Sequence, residues 1–308
     1  MSKKGVEQKP SETALFAALY RAIIASKEFN NEGVGSDDLA KYFLPSFLRF
    51  LIQFNFIREN IKNNSNKLTP GIYEYVRART AFFDNIFVEA LNKKIPQIVV
   101  LGAGYDTRAY RFALLNDSTK IFELDITPTQ NRKRQCLQKA KIDFTKHTTL
   151  VPIDFNKQSL KTALEKADYD NNEKTLFIWE GVNYYLDPGA VDVTLEFVKN
   201  TVNHESFIAL DYAISISEEN INDYYGARKF IEFWKKRRSG EPFKFTIDEG
   251  AIESFLEQRG LKIVNHLDNE QIEKMFLHTE HESSLGRITG FFRFVIASPN
   301  NNLQTNKS

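Results

Sequence analysis

The sequence predicts an α/β protein: a doubly wound, mostly parallel seven-stranded sheet, with an N-terminal helical cap and a lid insertion after the fifth strand. Three observations carry this expectation. Five short apolar runs alternate with stretches of helical spacing through the middle of the chain. Gly102 and Gly104 stand one residue apart directly after the first run, where a parallel sheet turns into its first crossover helix. Some seventy residues of helical character precede that run, and two further strand-like runs close the chain.

Taken in order, residues 1–10 read as disordered. "SETALFAALYRAIIAS" has helical spacing behind Ser11 as a cap. "NNEGVGSDD" is a loop. "DLAKYFLPSFLRFLIQFNFI" reads as helix interrupted at Pro45, its apolar side chains taken as helix–helix packing rather than as the wall of an acceptor pocket. "KNNSNKLTPG" reads as a polar loop. "IYEYVRARTAFFDNIFVEALNKK" is a long amphipathic helix that breaks at Pro96. Residues 1–75 are therefore expected to form the cap and 76–298 the sheet domain. Strands are expected at 97–102, 120–125, 148–154, 174–181 and 205–212, with helices between them. The mixed segment 213–250 is the lid. "AIESFLEQRG" is a helix stopped at Gly260, and "LKIVNHL" and "GFFRFVIAS" form a closing antiparallel pair. The tail 299–308 is expected to be disordered.

Composition narrows the function. In 308 residues, 41 basic against 40 acidic side chains leave a net charge of +1, which speaks against a nucleic-acid partner held by bulk electrostatics. One cysteine, Cys136, excludes an intrachain disulfide and a cysteine-rich metal site, and its helical setting favours packing over reactivity. The five histidines are scattered, "HTEH" lacks the glutamate of a metalloprotease helix, and no metal is expected. The N-terminus has no secretory apolar core and no run reaches 18 apolar residues, so a cytoplasmic protein with no membrane partner is expected. "WKKRRSG" reads as a solvated helix face.

Ligands of such sheets bind outside the carboxyl ends of the strands. Those ends bring Gly102, Ala103, Gly104 and Asp106; Glu123 and Asp125, on one face of their strand; Asp154 and Phe155; Glu180; and Asp211. None brings a lysine or arginine. Asp125 lies 23 residues after Gly102, the spacing at which an acid meets ribose hydroxyls. The third glycine of a dinucleotide fingerprint is replaced by Thr107, and no phosphate-binding lysine follows. An acid-lined crevice without phosphate ligands suits an adenosine carrying positive charge, as in S-adenosyl-L-methionine. Each residue alone has a plainer explanation: a Gly-x-Gly is often a tight turn, Asp106, Asp154 and Asp187 are candidate helix caps, and Arg77 and Arg79 suit a solvated helix face.

"VVLGAGYDTRAYRF", "FELD", "FIWEGVNYYLDPGAVDVTLEFV" and "YVRARTAFFD" together resemble the leucine carboxyl methyltransferase family, including its bacterial branch of O-methyltransferases. The likeness runs from about Ser11 to Ala297. It implies a Rossmann-like methyltransferase domain and S-adenosylmethionine as cofactor. It also implies roles: Arg79, with Arg77 as the alternative, for the cofactor carboxylate; Gly102 for close approach; Asp125 for the ribose; Asp154 and Phe155 for adenine; Glu180 after strand four; and Arg21 as the N-terminal basic residue. "SGEPFKFTI" matches the part that covers the active site. The acceptor is expected to be a small-molecule or peptide acid, its carboxylate or hydroxyl oxygen oriented by Tyr184 or Tyr185, with Arg287 as a further donor and Tyr105 and Tyr212 nearby. A non-catalytic S-adenosylmethionine-binding protein and an NAD-dependent oxidoreductase are the competing expectations. The sequence leaves the oligomeric state open.

Overall fold

The computed structural model describes residues 10–27, 35–143, 146–201, 203, 205–237, 243–278 and 285–300. The expectations for residues 1–9 and 301–308, and parts of those for the 30–38 loop, "WKKRRSG", "SGEPFKFTI" and "HTEH", lie outside the described residues.

Seven strands form one sheet: β1 (Gln97–Leu101), β2 (Lys120–Asp125), β3 (Thr148–Pro152), β4 (Thr175–Trp179), β5 (Phe207–Ala213), β6 (Leu261–Leu267) and β7 (Phe292–Pro299). Their order is β3-β2-β1-β4-β5-β7-β6. The first five are parallel, with Val99 facing Phe122 on one side and Phe177 on the other. β7 runs antiparallel to both β5 and β6, so the closing pair is inserted, with β6 at the edge. Every residue of β1 and β4 is buried, which is why these strands read as unbroken apolar runs. The sheet reaches further than expected at its end: Pro299 belongs to β7 and the Asn300 N–H donates to Gly260 O at 2.9 Å.

α1 (Glu12–Lys27) starts at Ser11, whose Oγ accepts from the Ala14 N–H at 3.0 Å. Beyond a short turn at Ala40–Phe43 and the break at Pro45 come α2 (Ser46–Leu51) and α3 (Asn55–Leu68). Two expectations fail here. The polar stretch 62–68 is helix, not loop; Asn64 donates to Asn60 one turn back and the Tyr20 hydroxyl bonds Ser65 at 2.7 Å, so local and tertiary bonds outweigh weak propensity. The apolar run does not all pack inward: Phe43 is buried, but Phe47 and Phe56 are 72% and 68% exposed, because the break at Pro45 leaves short helices whose outer faces meet nothing.

α4 (Ile72–Asn92) is one continuous helix, buried along most of its length between cap and sheet. It begins at Gly71, with φ +81°, where a Cβ would stand 2.3 Å from the Thr289 backbone nitrogen. The crossovers are α5 (Arg108–Arg111), α6 (Thr127–Lys139), α7 (Leu160–Glu165) and α8 (Pro188–Lys199). The segment after β5 holds α9 (Ala227–Arg237), and a bridge from Ile214 to Ile247 closes its base. α10 (Ile252–Glu257) and α11 (Asn269–Phe276) flank β6. Among the described residues, no helix is long and apolar enough to cross a membrane.

A chain of buried charges stitches these layers together. Arg21 Nε of α1 meets Asp37 at 3.0 Å. Arg111 of α5 bonds both oxygens of Asp84 on α4, at 2.7 and 2.9 Å, and the Ser36 carbonyl at 2.8 Å. Arg108 reaches Asp84 at 2.8 Å, Asp106 at 2.5 Å and Glu180 at 2.8 Å. Glu180 in turn holds Arg79 Nε at 3.0 Å, and Arg79 approaches Asp211 of β5 at 3.5 Å. Apart from this chain, Glu123 does not join Asp125 at the crevice but pairs with Lys133 of α6 at 2.6 Å, both 1% exposed.

Removing one member of such a network strands its partners in a place water does not reach. Asp84→Asn is expected to cost about 3–5 kcal/mol, read as a lowered urea midpoint. Burial alone would raise the Asp106 carboxyl, but Arg108 and Lys133 outweigh it and hold it at about 2, below the ordinary value of 3.8. A depressed carboxyl contributes stability that is complete above its unfolded value and fades as pH falls through its folded value. The stability difference between the wild-type protein and Asp106→Asn, on the order of 2 kcal/mol at neutral pH, should therefore shrink between about pH 4 and pH 2. A difference that stays constant over that range would refute the assignment.

Candidate functional site

A cavity of about 400 Å³ opens above the carboxyl ends of the parallel strands, walled by α1, α4 and α9. It spans the point between β1 and β4 where the strand order reverses. Arg21, Arg79, Gly102, Ala103, Gly104, Asp106, Asp125, Asp154, Phe155, Glu180, Tyr184 and Tyr185 line it. The structure brings them together in two halves.

The half over β1, β2 and β3 is polar. Gly102 has φ +70°, and a Cβ there would lie 2.4 Å from Val182, so the glycine lets the loops after β1 and β4 touch. The Gly104 N–H donates to Asp125 Oδ2 at 2.6 Å, and the Ile126 N–H to Asp125 Oδ1 at 2.7 Å. Two backbone donors thus aim the Asp125 carboxylate before any ligand arrives. Arg21, besides its pair with Asp37, donates to the Tyr105 carbonyl at 2.7 Å and ties α1 to the same loop. Asp106 lines the cavity, but its two oxygens are engaged by the Arg108 N–H and guanidinium. Its first task is to hold Arg108. Asp154 is not a helix cap: Ser159 caps α7, while Asp154 Oδ1 accepts from the Asn156 N–H at 3.1 Å in the turn that carries Phe155. Asp187 flanks α8 without a side-chain cap bond and meets Lys244 at 3.1 Å instead.

The half over β4, β5 and β7 is aromatic. Glu180 bridges Arg79 and Arg108. Asp211, fully buried, accepts from the Gly181 N–H at 2.7 Å, from the Tyr75 hydroxyl and from the Tyr184 hydroxyl at 3.3 Å. Burial raises Tyr75 and Tyr184 well above the usual phenol value, and the charge of Asp211 adds to it. Both phenols are therefore neutral donors. Burial likewise raises Asp211, against Arg79 and the bond from Tyr75. Tyr185 packs on Tyr184, Trp234 and Phe243.

Several sequence candidates are not in the cavity. Tyr212 turns to the other face of β5, where its hydroxyl meets His266 at 3.0 Å. Arg287 lies over the Tyr225 ring, and Arg77 does not line the cavity. Tyr105 does, stacked on Phe43. Cys136 is partly buried and burial raises its thiol, which fits packing. The sequence reading missed Arg108, Asp84 and Tyr75, and gave Asp211 no role. It counted no arginine at the strand ends, yet Arg108 sits in the quoted "DTR". Tyr75 and Arg79 are four residues apart on α4, a spacing that puts both on one face. Lys244 falls in the quoted "SGEPFKFTI", whereas "WKKRRSG", read as a solvated helix face, hides Trp234, and Phe230 is not singled out.

Comparison with known proteins gives the family and the fold. The chain is 29% identical over 237 residues to the "Putative S-adenosyl-L-methionine-dependent methyltransferase YktD" of Bacillus subtilis, covering 74% of this chain and 75% of that protein. A protein of the same description from Mycolicibacterium gilvum is 37% identical over 142 residues, 46% of this chain and 56% of that one. Among solved structures, a DUF574 family protein from Streptomyces avermitilis superposes with TM-score 0.59 at 12% identity, over 92% of this chain and 97% of that one. A "putative methyltransferase" from Thermobifida fusca does so with TM-score 0.56 at 14% identity, over 95% and 96%. These two share the fold. The family model for leucine carboxyl methyltransferase matches residues 14–199, more than half of the sequence, and the chain belongs to that family.

Proposed function

We propose that this methyltransferase is S-adenosyl-L-methionine-dependent and transfers its methyl group to a carboxylate oxygen of a small-molecule or peptide acid. The observation that carries the reading is the division of one cavity into a carboxylate-rich half and an aromatic half in which the Tyr75 and Tyr184 hydroxyls keep their protons.

The polar half fits the cofactor. Four arginines and five carboxylates make up the buried charge chain, a formal balance of −1, and Asp125 adds to it at the cavity wall, where Asp154 pairs with Lys157 at 3.2 Å. That environment suits a sulfonium and an ammonium and rejects a pyrophosphate. Asp125 would take the ribose hydroxyls, Asp154 and Phe155 the adenine, and Arg79 with Arg21 the amino-acid carboxylate. When bound, the cofactor supplies an activated methyl group, so the protein's share is position and electrostatics.

On the acceptor side a carboxylate is already nucleophilic at neutral pH and needs orientation only. A hydroxyl would need a base within reach. Among the described residues no histidine lines the cavity, Glu180 is held by two arginines, and Tyr184 keeps its proton. Tyr184 donates to the acceptor by turning its one hydroxyl proton from Asp211, which accepts it at 3.3 Å, while Arg79 donates to the same oxygen at 3.4 Å.

Three measurements test this. Asp125→Ala should weaken S-adenosylhomocysteine binding roughly 30- to 100-fold, read by thermal shift or calorimetry; unchanged affinity would remove Asp125 from the site, and stabilisation by NAD instead would overturn the cofactor. Tyr184→Phe should lower turnover about tenfold with cofactor affinity unchanged. Tritiated methyl transferred to acid acceptors should be released as methanol on treatment with base; a base-stable product would replace the carboxylate with a hydroxyl, and binding without any product would favour a non-catalytic protein.

A further inference from the structure

We propose that the acceptor is a flat aromatic carboxylic acid, its ring held by the lid's Trp234 and Phe230 with Tyr185 and Phe292, and its charge recognised by Lys244. The inference rests on the carboxylate assignment above and adds the chemical class.

The wall itself argues for a ring. Trp234 lies near-parallel to Tyr185, with centroids 6.3 Å apart and planes 27° from each other, and near-parallel to Phe230 at 5.5 Å and 22°. Phe292 is backed by Phe291 at 4.4 Å. Aromatic faces in similar orientation reward a flat π-system by offset stacking more than they reward a flexible alkyl chain, which loses rotamer freedom on ordering. The rings are also braced against each other, so they are set before the acceptor enters: Phe230 contacts both Phe291 and Phe292.

Lys244 is the one lysine lining the cavity among the described residues. Its backbone N–H donates to the Tyr184 carbonyl at 2.8 Å, which fixes this segment beside the proposed acceptor donor. Its ammonium meets Asp187 at 3.1 Å, but these side chains are 37% and 58% exposed. A half-solvated pair of this kind is worth about 0–1 kcal/mol, so an acceptor carboxylate can replace Asp187 at little cost. Methylation then removes the charge that Lys244 recognises. The acid is held and its ester is let go, which gives the site a way to release product.

The test uses the full chain saturated with S-adenosylhomocysteine and three probes: 2-naphthoate, its methyl ester and hexanoate, each titrated by calorimetry. Naphthoate is expected to bind roughly tenfold more tightly than hexanoate, and Trp234→Leu should remove that advantage while Trp234→Phe largely keeps it. Naphthoate should also outbind its ester by about fivefold, and Lys244→Gln should abolish that preference without weakening the ester. Hexanoate binding as tightly as naphthoate would overturn the aromatic class. A preference for acid over ester that survives Lys244→Gln would overturn the lysine's part. Cofactor binding intact with no naphthoate binding would overturn the acceptor class alone, whereas loss of S-adenosylhomocysteine binding in the wild-type protein would overturn the cofactor reading beneath it.

Discussion

The buried chain of arginines and carboxylates is the constraint on which the rest of this structure depends. It starts at Arg21 on α1, passes through Asp37, Arg111, Asp84, Arg108 and Glu180, and ends at Arg79 and Asp211. Desolvating that many charges is tolerable only because most carboxylates meet two cations and the arginines fork between partners. Hydrophobic contacts could dock the cap helices against the sheet in several neighbouring registers. Bidentate bonds between Arg111 and Asp84 admit one. The same chain therefore fixes the height of α1 and α4 above the strand ends, and with it the depth of the cavity between them.

The chain also sets the electrostatics of that cavity. Four of its members line the cavity, Arg21, Arg79, Asp106 and Glu180, and Arg108 holds both of those carboxylates without lining it. Asp125 shows how closely position and charge are linked: its carboxylate is aimed by the N–H groups of Gly104 and Ile126, so a glycine loop and an acid from the neighbouring strand act as one unit. Gly102 is needed for a different reason than its ligand alone would suggest, since a side chain there would collide with Val182 and separate β1 from β4 at their upper ends.

These parts differ in how far the sequence reveals them. The parallel strands were legible because central strands covered on both faces must be apolar throughout, and the residues closing them are local to each run. The strand-end acids could be found one by one for the same reason. Asp84, Arg108 and Asp211 could not be joined into a chain, because Asp84 and Arg108 lie 24 residues apart, Arg79 and Asp211 lie 132 apart, and only the folded topology makes them neighbours. Charged side chains in a helix are ordinarily solvent-facing, and nothing in "YVRART" distinguishes buried Arg79 from Arg77. Stretch 62–68 misled in the opposite sense: asparagines and a serine read as loop, while Tyr20 from another helix supplies the bond that keeps Ser65 helical.

The two halves of the cavity come from different kinds of chain, and this has a consequence for specificity. The polar half is built from strand ends and short turns, whose positions are dictated by sheet register and by the charge network. The aromatic half takes Phe230, Trp234 and Lys244 from the segment inserted between β5 and the last strands, which is tied to the sheet through the Ile214–Ile247 bridge and the bond from Arg293 to Glu249 at 2.6 Å. Changing those lid side chains alters what the aromatic half accepts without disturbing Asp125, Glu180 or Arg79. Changing Asp84 or Arg108 disturbs everything, because the cap, the sheet and the cofactor half share them. On the proposed assignment, affinity for the methyl donor is built into the fold, while the choice of acceptor sits on an element that can vary separately from it.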